Sequence, residues 1–529
     1  MSQIPDRSFV ILNRKLISVG TLKLFFLLVL VFSQQIPEAQ DSLGKKVMLQ
    51  ATPPRVTMKL TNGSASAIPK GPYKASWESI KQNYTVPKWF LDGKFGIFIH
   101  YGVYTVAAHA SEWYPRHMYS NGGVQKWHEE HFGPVSTFGY KDLIPLFKME
   151  KFNATEWAAL FKKAGAKYVV PTAEHHDGFA MYESNLTRWD SKDMGPHVDF
   201  IGELAAAVRK QGLKFGVSNH RMEHWDFMYP KLQVQTDLFD PAYADFYGPP
   251  QLPPQRSAPK AGEEVIEDQH AAPQSKAFQE EWLARCQELV DKYKPDMFWF
   301  DNGINSRRLD SIKLRFAAYY YNRAVAWGKP VSISTKSDAY LAGSIRDFER
   351  QGRAPKEMTD YMWQVDDPIG EKFGYVEGMK LTNAGTVVRR LVENVSRNGN
   401  LMLNISPKSD GSIPEEQQKI LLGVGKWLNV NGEAIYETRA WKNYGEEQIR
   451  FTQKGNILYA ISLQWPTLPV LISSLPLHLG KVENVTLLGY KEKILFTQNE
   501  QGLKVIFPLE NPGEYAYSLK IEGLLLQRK

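Results

Sequence analysis

From about residue 75 to about residue 440, short apolar runs alternate with amphipathic stretches. Phe95–Ile99 (FGIFI), Tyr168–Pro171 (YVVP), Phe215–Ser218 (FGVS), Met297–Phe300 (MFWF), Val331–Ser334 (VSIS) and Leu401–Ile405 (LMLNI) are short, β-prone and largely apolar on both faces. That pattern predicts strands buried on both sides, as in a parallel sheet. Between them, Ala154–Gly165, Asp199–Gly212, Phe278–Tyr293, Ser311–Trp327 and Thr386–Ser396 repeat apolar residues at helical spacing. For the first of these, Thr155 is the expected N-cap and Gly165 the expected terminator. Alternation of strands and helices predicts a parallel sheet with helices outside it. The strand count and the polar residues at strand ends predict closure into a (β/α)8-like TIM barrel. His100-Tyr101-Gly102, Glu174-His175-His176-Asp177, Asn219-His220 and Asp301-Asn302-Gly303 each follow a strand. In a barrel those ends converge on the face where active sites are built.

The texture changes on either side of this region. Residues 441–529 alternate polar and apolar positions with frequent Gly and Pro, as in Asn456–Ser462, Val485–Leu488 and Leu503–Phe507. They predict a small antiparallel β-sandwich. At the other end, Arg7, Arg14, Lys15 and Lys23 precede the nine-residue apolar run Leu24–Phe32 and a polar exit, Ser33-Gln34-Gln35. A basic flank, a short apolar run and a polar exit describe a signal peptide, and nine residues are too few to span a membrane. The expected organisation is a signal peptide at 1–35, a polar tether at 36–74, the barrel at 75–440 and the sandwich at 441–529. A Pro-, Gln- and Ala-rich insertion at 230–277 reads as a surface loop. The expected location is the periplasm or the outside of the cell, without a stable membrane span.

Composition removes some alternatives. The chain of 529 residues is 43% hydrophobic and 23% charged, which suits a globular protein of a large domain plus a small one. Its net charge is +7, but Lys and Arg are scattered among Asp and Glu, so no nucleic-acid partner is expected. The single cysteine, Cys286, excludes an internal disulfide framework and any multi-cysteine metal site. Asn394 and Asn404 fall in glycosylation sequons, yet their segments read as buried helix or strand.

Asp301 closes the run Phe298-Trp299-Phe300 and is the foremost chemical candidate. A carboxylate at the end of a barrel strand is held rigidly and partly desolvated, which suits a nucleophile. The same Asp-Asn-Gly pattern also suits a structural Asp accepting backbone N–H bonds in a tight turn. His100, His175 and His176, with Asp177, suggest a metal site by residue type alone. Adjacent side chains diverge from an extended strand end, so a set of groups gripping sugar hydroxyls fits better than a shared ion. A glycosidase that retains configuration needs a second carboxyl about 5–5.5 Å from the first. The residues leave Asp338, Asp347, Glu349, Glu357 and Asp360 open for that role, with Glu349 placed at the end of a sixth strand and Arg346 close by.

Several long motifs, in order, resemble the family 29 α-L-fucosidases. They are Trp89–Gly102 (WFLDGKFGIFIHYG), Ser111-Glu112-Trp113-Tyr114, His175-His176-Asp177-Gly178-Phe179, Pro295–Asp301 (PDMFWFD), Asn398–Pro407 (NGNLMLNISP), Asp410–Gln418 and Trp427–Tyr436. The likeness covers roughly residues 75–440, which is far more specific than any one motif. It implies exo-hydrolysis of terminal α-L-fucose from fucosylated oligosaccharides or glycoconjugates, with retention and without a cofactor or metal. Asp301 becomes the nucleophile, and His100, Glu112, Trp113, His175, His176 and Trp299 line the fucose pocket, with Arg346 beside them. Glu349 is carried over by region as acid/base, with Asp347 and Glu357 in reserve. Two departures are visible: Glu174 stands where many members carry Lys, and Asn219-His220 replaces a Tyr-Ser type segment. A transfucosidase and a catalytically silent fucose-binding protein are the rival readings on this scaffold.

Overall fold

The computed structural model describes residues 65–230, 235–248, 273–336 and 338–526. The expected signal peptide, most of the tether and much of the 230–277 insertion lie outside the described residues. The chain divides into Met1–Val56, which lies wholly outside them, and Thr57–Lys529, which contains every described element. No helix among the described residues is long and apolar enough to cross a membrane.

Eight parallel strands close into a barrel in chain order: β1 (Phe95–Ile99), β2 (Tyr168–Glu174), β3 (Lys214–Asn219), β4 (Met297–Phe300), β5 (Ser332–Lys336), β6 (Ser344–Glu349), β7 (Trp363–Pro368) and β8 (Gly399–Ile405). β8 pairs back onto β1, with Phe95 opposite Leu401. The predicted TIM barrel is therefore the fold. The predicted helices form at Ala154–Lys163, Phe200–Lys210, Lys276–Tyr293, Asp310–Ala326 and Ala384–Ser396. One cap differs from expectation: Asn153, not Thr155, opens the first helix, its side chain accepting from the Thr155 and Glu156 N–H groups. An Asn two residues upstream leaves Thr155 inside the first turn, where it needs a cap rather than provides one.

Phe98, Val170, Met297, Trp299, Ile345 and Met402 fill the barrel from five of its strands. Phe90 plugs its lower mouth beside Tyr168, and Asn400 Nδ2 donates to the Phe90 carbonyl at 2.9 Å. Each such side chain stabilises the fold by roughly 1.5–3 kcal/mol through burial. Two glycines make room for aromatic rings here. A Cβ at Gly96 would fall 2.2 Å from the Tyr168 ring, and one at Gly399 would fall 2.4 Å from that of Trp363.

Residues 66–73, at the end of the expected tether, have no regular element yet are tied to the barrel's helices. Ser66 exchanges hydrogen bonds with Gln287, and Asn322 Nδ2 donates to the carbonyls of Pro69 and Tyr73. After the barrel comes the predicted sandwich, a five-stranded and a three-stranded antiparallel sheet around one apolar core. Trp427 Nε1 donates to the Ala516 carbonyl at 2.7 Å, and Arg450 pairs with Glu393 at 2.8 Å, fixing the sandwich to the barrel's helices.

Candidate active site

Asp301 leaves β4 at the barrel's C-terminal face and is 7% exposed. Its Oδ2 accepts from His220 Nδ1 at 2.8 Å and faces His176 Nε2 at 3.3 Å. Its Oδ1 lies 2.7 Å from Lys336 Nζ and accepts the Asn302 backbone N–H at 2.8 Å. The turn bond expected of a structural Asp is thus present, but three side chains from three other strand ends add to it. Burial alone would raise this carboxyl. Lys336, His220 and His176 outweigh burial and hold it well below the usual carboxylate range. Asp301 is ionised throughout neutral and mildly acidic pH.

The histidines divide by charge. Burial lowers His100 and His175 far below their ordinary range and brings His220 down to about 4, so all three are neutral. His176 is buried too, but Glu223 at 3.4 Å and Asp301 raise it above its ordinary value. His100 Nδ1 meets Asn404 Oδ1 at 2.7 Å, leaving Nε2 directed elsewhere. His175 packs between His176 and Tyr104, and its buried Nδ1 has no partner. As expected of neighbours, His175 and His176 diverge: one groups with His100 and His220, the other with His220 and Asp301. By distance either group can hold an ion. In both, however, His220 is committed on each side, to Asp301 and to Ser218 Oγ at 3.0 Å.

Glu112 and Trp113 come from the loop after β1. Glu112 Oε2 accepts from the Gly374 N–H at 3.1 Å, and the Trp113 ring stands 5.7 Å from His176 and 5.2 Å from Phe227. Trp299 lies beneath the site, fully buried in the barrel, with Nε1 donating to Asp347 Oδ2 at 2.8 Å. His220 and the Lys336 ammonium each sit 5.2 Å from its ring. Glu349 ends β6 beside an open cleft of about 240 Å³ that also holds Arg346, Arg353 and Asn302. Arg346 sits at the cleft's rim, paired with Asp338 and packed on Tyr361.

Glu349 Oε2 is 3.2 Å from the Lys336 ammonium that also contacts Asp301. Since one ammonium lies 2.7 Å and 3.2 Å from the two carboxyl oxygens, they are no more than about 6 Å apart. The other acid candidates are placed differently. Asp347 is buried and accepts from Trp299 and Gln364, Asp338 faces Arg346, and Glu357 and Asp360 are exposed. A larger cavity of about 510 Å³, beside Trp225 and Phe278, contains none of the predicted site residues.

Sequence reasoning gave no role to Lys336 or Glu223, and noted His220 as a polar residue after a strand and as part of a departure, without a role in the site. For Lys336 a signal existed: like Asp301, it is a charged residue closing a strand. The Glu174 departure also gains a reason. Glu174 is fully buried and accepts from Arg221 at 2.7 Å and Arg285 at 3.3 Å, while both arginines also reach Glu281. Glu174→Gln leaves two buried guanidiniums short of an anion. It is expected to cost about 3–5 kcal/mol in urea unfolding, and a change under 1 kcal/mol would contradict this reading of the cluster.

A buried, ionised Asp at a barrel strand's end, beside neutral imidazoles, a Trp and a second carboxyl, is the kind of arrangement that carbohydrate-cleaving TIM barrels use. Residues 60–433 match the α-L-fucosidase family model and residues 442–522 that of the α-L-fucosidase C-terminal domain. Tissue α-L-fucosidase of Bos taurus is 31% identical over 85% of this chain and 92% of its own length, and that of Homo sapiens is 30% identical over 90% and 98%. The crystal structure of Thermotoga maritima α-fucosidase in complex with a mechanism-based inhibitor superposes with a TM-score of 0.67 at 30% identity. It covers 85% of this chain and 99% of that one. The chain belongs to the α-L-fucosidase family and is a glycoside hydrolase acting on α-L-fucosides.

Proposed function

We propose that the chain is a retaining exo-α-L-fucosidase working by double displacement, with Asp301 as nucleophile and Glu349 as acid/base. The supporting observation is that both carboxyl oxygens lie on the Lys336 ammonium, no more than about 6 Å apart. That is near the about 5–5.5 Å of retaining enzymes and below the about 6.5–9.5 Å that inverting enzymes need for an intervening water. Asp301 Oδ attacks the anomeric carbon of an α-L-fucoside while Glu349 gives its proton to the departing glycosidic oxygen. A fucosyl ester of inverted configuration forms. Water then attacks the same carbon, Glu349 takes the water's proton, and Asp301 leaves as carboxylate. Two inversions return α-L-fucose.

In this reading His100, His175 and His176 grip the sugar hydroxyls with Glu112, and Trp113 gives an apolar face to a 6-deoxy sugar whose C5 carries a methyl group. The neutral imidazoles of His100 and His175 suit that task, since each donates from one nitrogen and accepts at the other. Trp299 supports the floor, and Arg346 meets the leaving group at the rim of the cleft.

The test is the anomer of the first-formed fucose, followed by proton NMR during cleavage of an aryl α-L-fucoside. The α-anomer is expected, and β-L-fucose appearing first would contradict double displacement. Fucose bound without turnover would point to a silent binding protein, and transfer to an added sugar outpacing hydrolysis would point to a transfucosidase.

A further inference from the structure

Lys336 is the last residue of β5 and is 8% exposed. Its Nζ lies 2.7 Å from Asp301 Oδ1 and 3.2 Å from Glu349 Oε2, over the faces of Trp299 and Phe373 at 5.2 and 5.9 Å. Nothing in the double displacement itself requires a cation at this point. Yet a lysine buried this deeply is costly unless its charge is used.

We propose that Lys336 is the shared counter-ion of the two carboxyl groups, across which one negative charge passes from Asp301 to Glu349 in the first half-reaction and back in the second. This rests on Asp301 as nucleophile and Glu349 as acid/base. In the double displacement proposed above, Asp301 enters the first step as the anion and Glu349 as the proton donor. When the ester forms, Asp301 loses its charge to the new C–O bond. Glu349 loses its proton to the leaving oxygen and becomes the anion. Hydrolysis reverses both changes. The site therefore carries one carboxylate and one ammonium at every stage, and the ammonium is within reach of whichever oxygen is charged. Without it, the charge would rest on a buried Asp301 without its cation in one state, and in the other on Glu349 with only Arg353 at 3.5 Å beside it.

The other charged and titratable groups around the ammonium do not replace it. His220 and His100 are neutral, and His176 is committed to Glu223 and Asp301. Arg353 reaches only Glu349, at 3.5 Å. Below, on β6 and β7, Asp347 accepts from Trp299 and Gln364, and from the backbone N–H of Asp366, whose own buried carboxyl lies against it. Burial raises Asp347, and burial with its neighbour Asp347 raises Asp366 further. Burial alone would lower Lys336, but Asp301, Asp366 and Glu349 together raise it well above its ordinary value. The ammonium thus stays charged across the working pH range.

The test compares the parent with Lys336→Met and Lys336→Arg on two substrates: a fucosylated oligosaccharide, whose leaving group needs its proton, and a dinitrophenyl fucoside, whose leaving group does not. Charge passes to Glu349 only with the first. Lys336→Met is expected to lose about 100-fold or more in kcat/KM on the oligosaccharide and under about 10-fold on the aryl fucoside. Removing a cation beside a carboxylate raises its pKa, so the acidic limb of the kcat/KM profile moves to higher pH. Lys336→Arg is expected to keep the limb and most of the activity. Should the Met variant not fold, Lys336→Cys alkylated with 2-bromoethylamine rebuilds a lysine-length ammonium and is expected to recover oligosaccharide turnover relative to the unalkylated protein. Equal losses on both substrates with an unmoved limb, or no recovery on alkylation, would overturn the proposal while leaving the roles of Asp301 and Glu349 intact. Undiminished turnover in Asp301→Ala would overturn those roles, and this proposal with them.

Discussion

Asp301→Ala is expected to reduce turnover of aryl α-L-fucosides by on the order of 10⁴-fold or more, with KM little changed. No neighbour can replace the carboxylate. His220 and His176 are aimed at the missing oxygens, Asn302 offers only a backbone donor, and Glu349 is held by Lys336 and Arg353. The variant is expected to fold, because Glu349 still pairs with the Lys336 ammonium and the surrounding histidines are held by Ser218, Asn404 and Glu223. Added azide fits the space left by the carboxylate and attacks the anomeric carbon directly. A single displacement gives β-L-fucosyl azide, and NMR of the product checks it. Retention of even a tenth of the parental rate would remove Asp301 from the nucleophile's role.

Glu349→Ala is expected to behave in the opposite sense. Loss of a general acid costs about 10²- to 10⁴-fold where the leaving oxygen must be protonated. On fucosylated oligosaccharides the loss should fall in that range, while a dinitrophenyl fucoside should still form the ester at close to the parental rate. Hydrolysis of that ester is then slow because no base activates water. Azide needs no base, so it restores turnover and yields α-L-fucosyl azide, the product of two inversions. The two variants thus give opposite anomers of one product, a contrast that general loss of structure cannot produce. Equal losses on both substrates, without azide rescue, would pass the role to another carboxyl.

The same geometry explains what is legible in the sequence. β1 and β4 form over the very residues expected, Phe95–Ile99 and Met297–Phe300, because strands wholly walled by apolar neighbours must be apolar themselves. β6 and β7 present no such run. Their sequences, SIRDFE and WQVDDP, carry Asp347, Gln364 and Asp366, all buried inside the barrel. There a polar network under the Lys336 ammonium replaces the apolar layer that pattern reading looks for. β6 is legible only at its end, through Glu349.

The site divides along a similar line. Asp301, His100, His175 and His176 stand out as polar residues abruptly ending apolar strands, and the fold brings them to one face. Lys336 ends β5 in the same way, but a lysine after Ser-Ile-Ser-Thr reads as an ordinary solvated cation. Its burial depends on Trp299, Asp301 and Glu349 arriving from β4 and β6, which local sequence does not express. His220 shows a different limit. Its place at a strand end is visible in the sequence, but only the fold shows its ring turned between Ser218 and Asp301, where a neutral imidazole orients one oxygen of the carboxylate. Trp299, expected to line the pocket, lies beneath it, because β4 directs that side chain into the barrel core.

The most direct test of Asp301 as nucleophile is to trap the ester it forms. A 2-deoxy-2-fluoro-fucosyl fluoride destabilises the oxocarbenium-like transition states of both steps, while its good leaving group still lets the first proceed, so the intermediate accumulates. After incubation and peptic digestion, mass spectrometry is expected to find one fluorofucosyl group on the peptide containing Asp301, and none in Asp301→Ala. A fluorofucosyl group on a different carboxylate, or its absence in an enzyme that the reagent inactivates, would contradict the account.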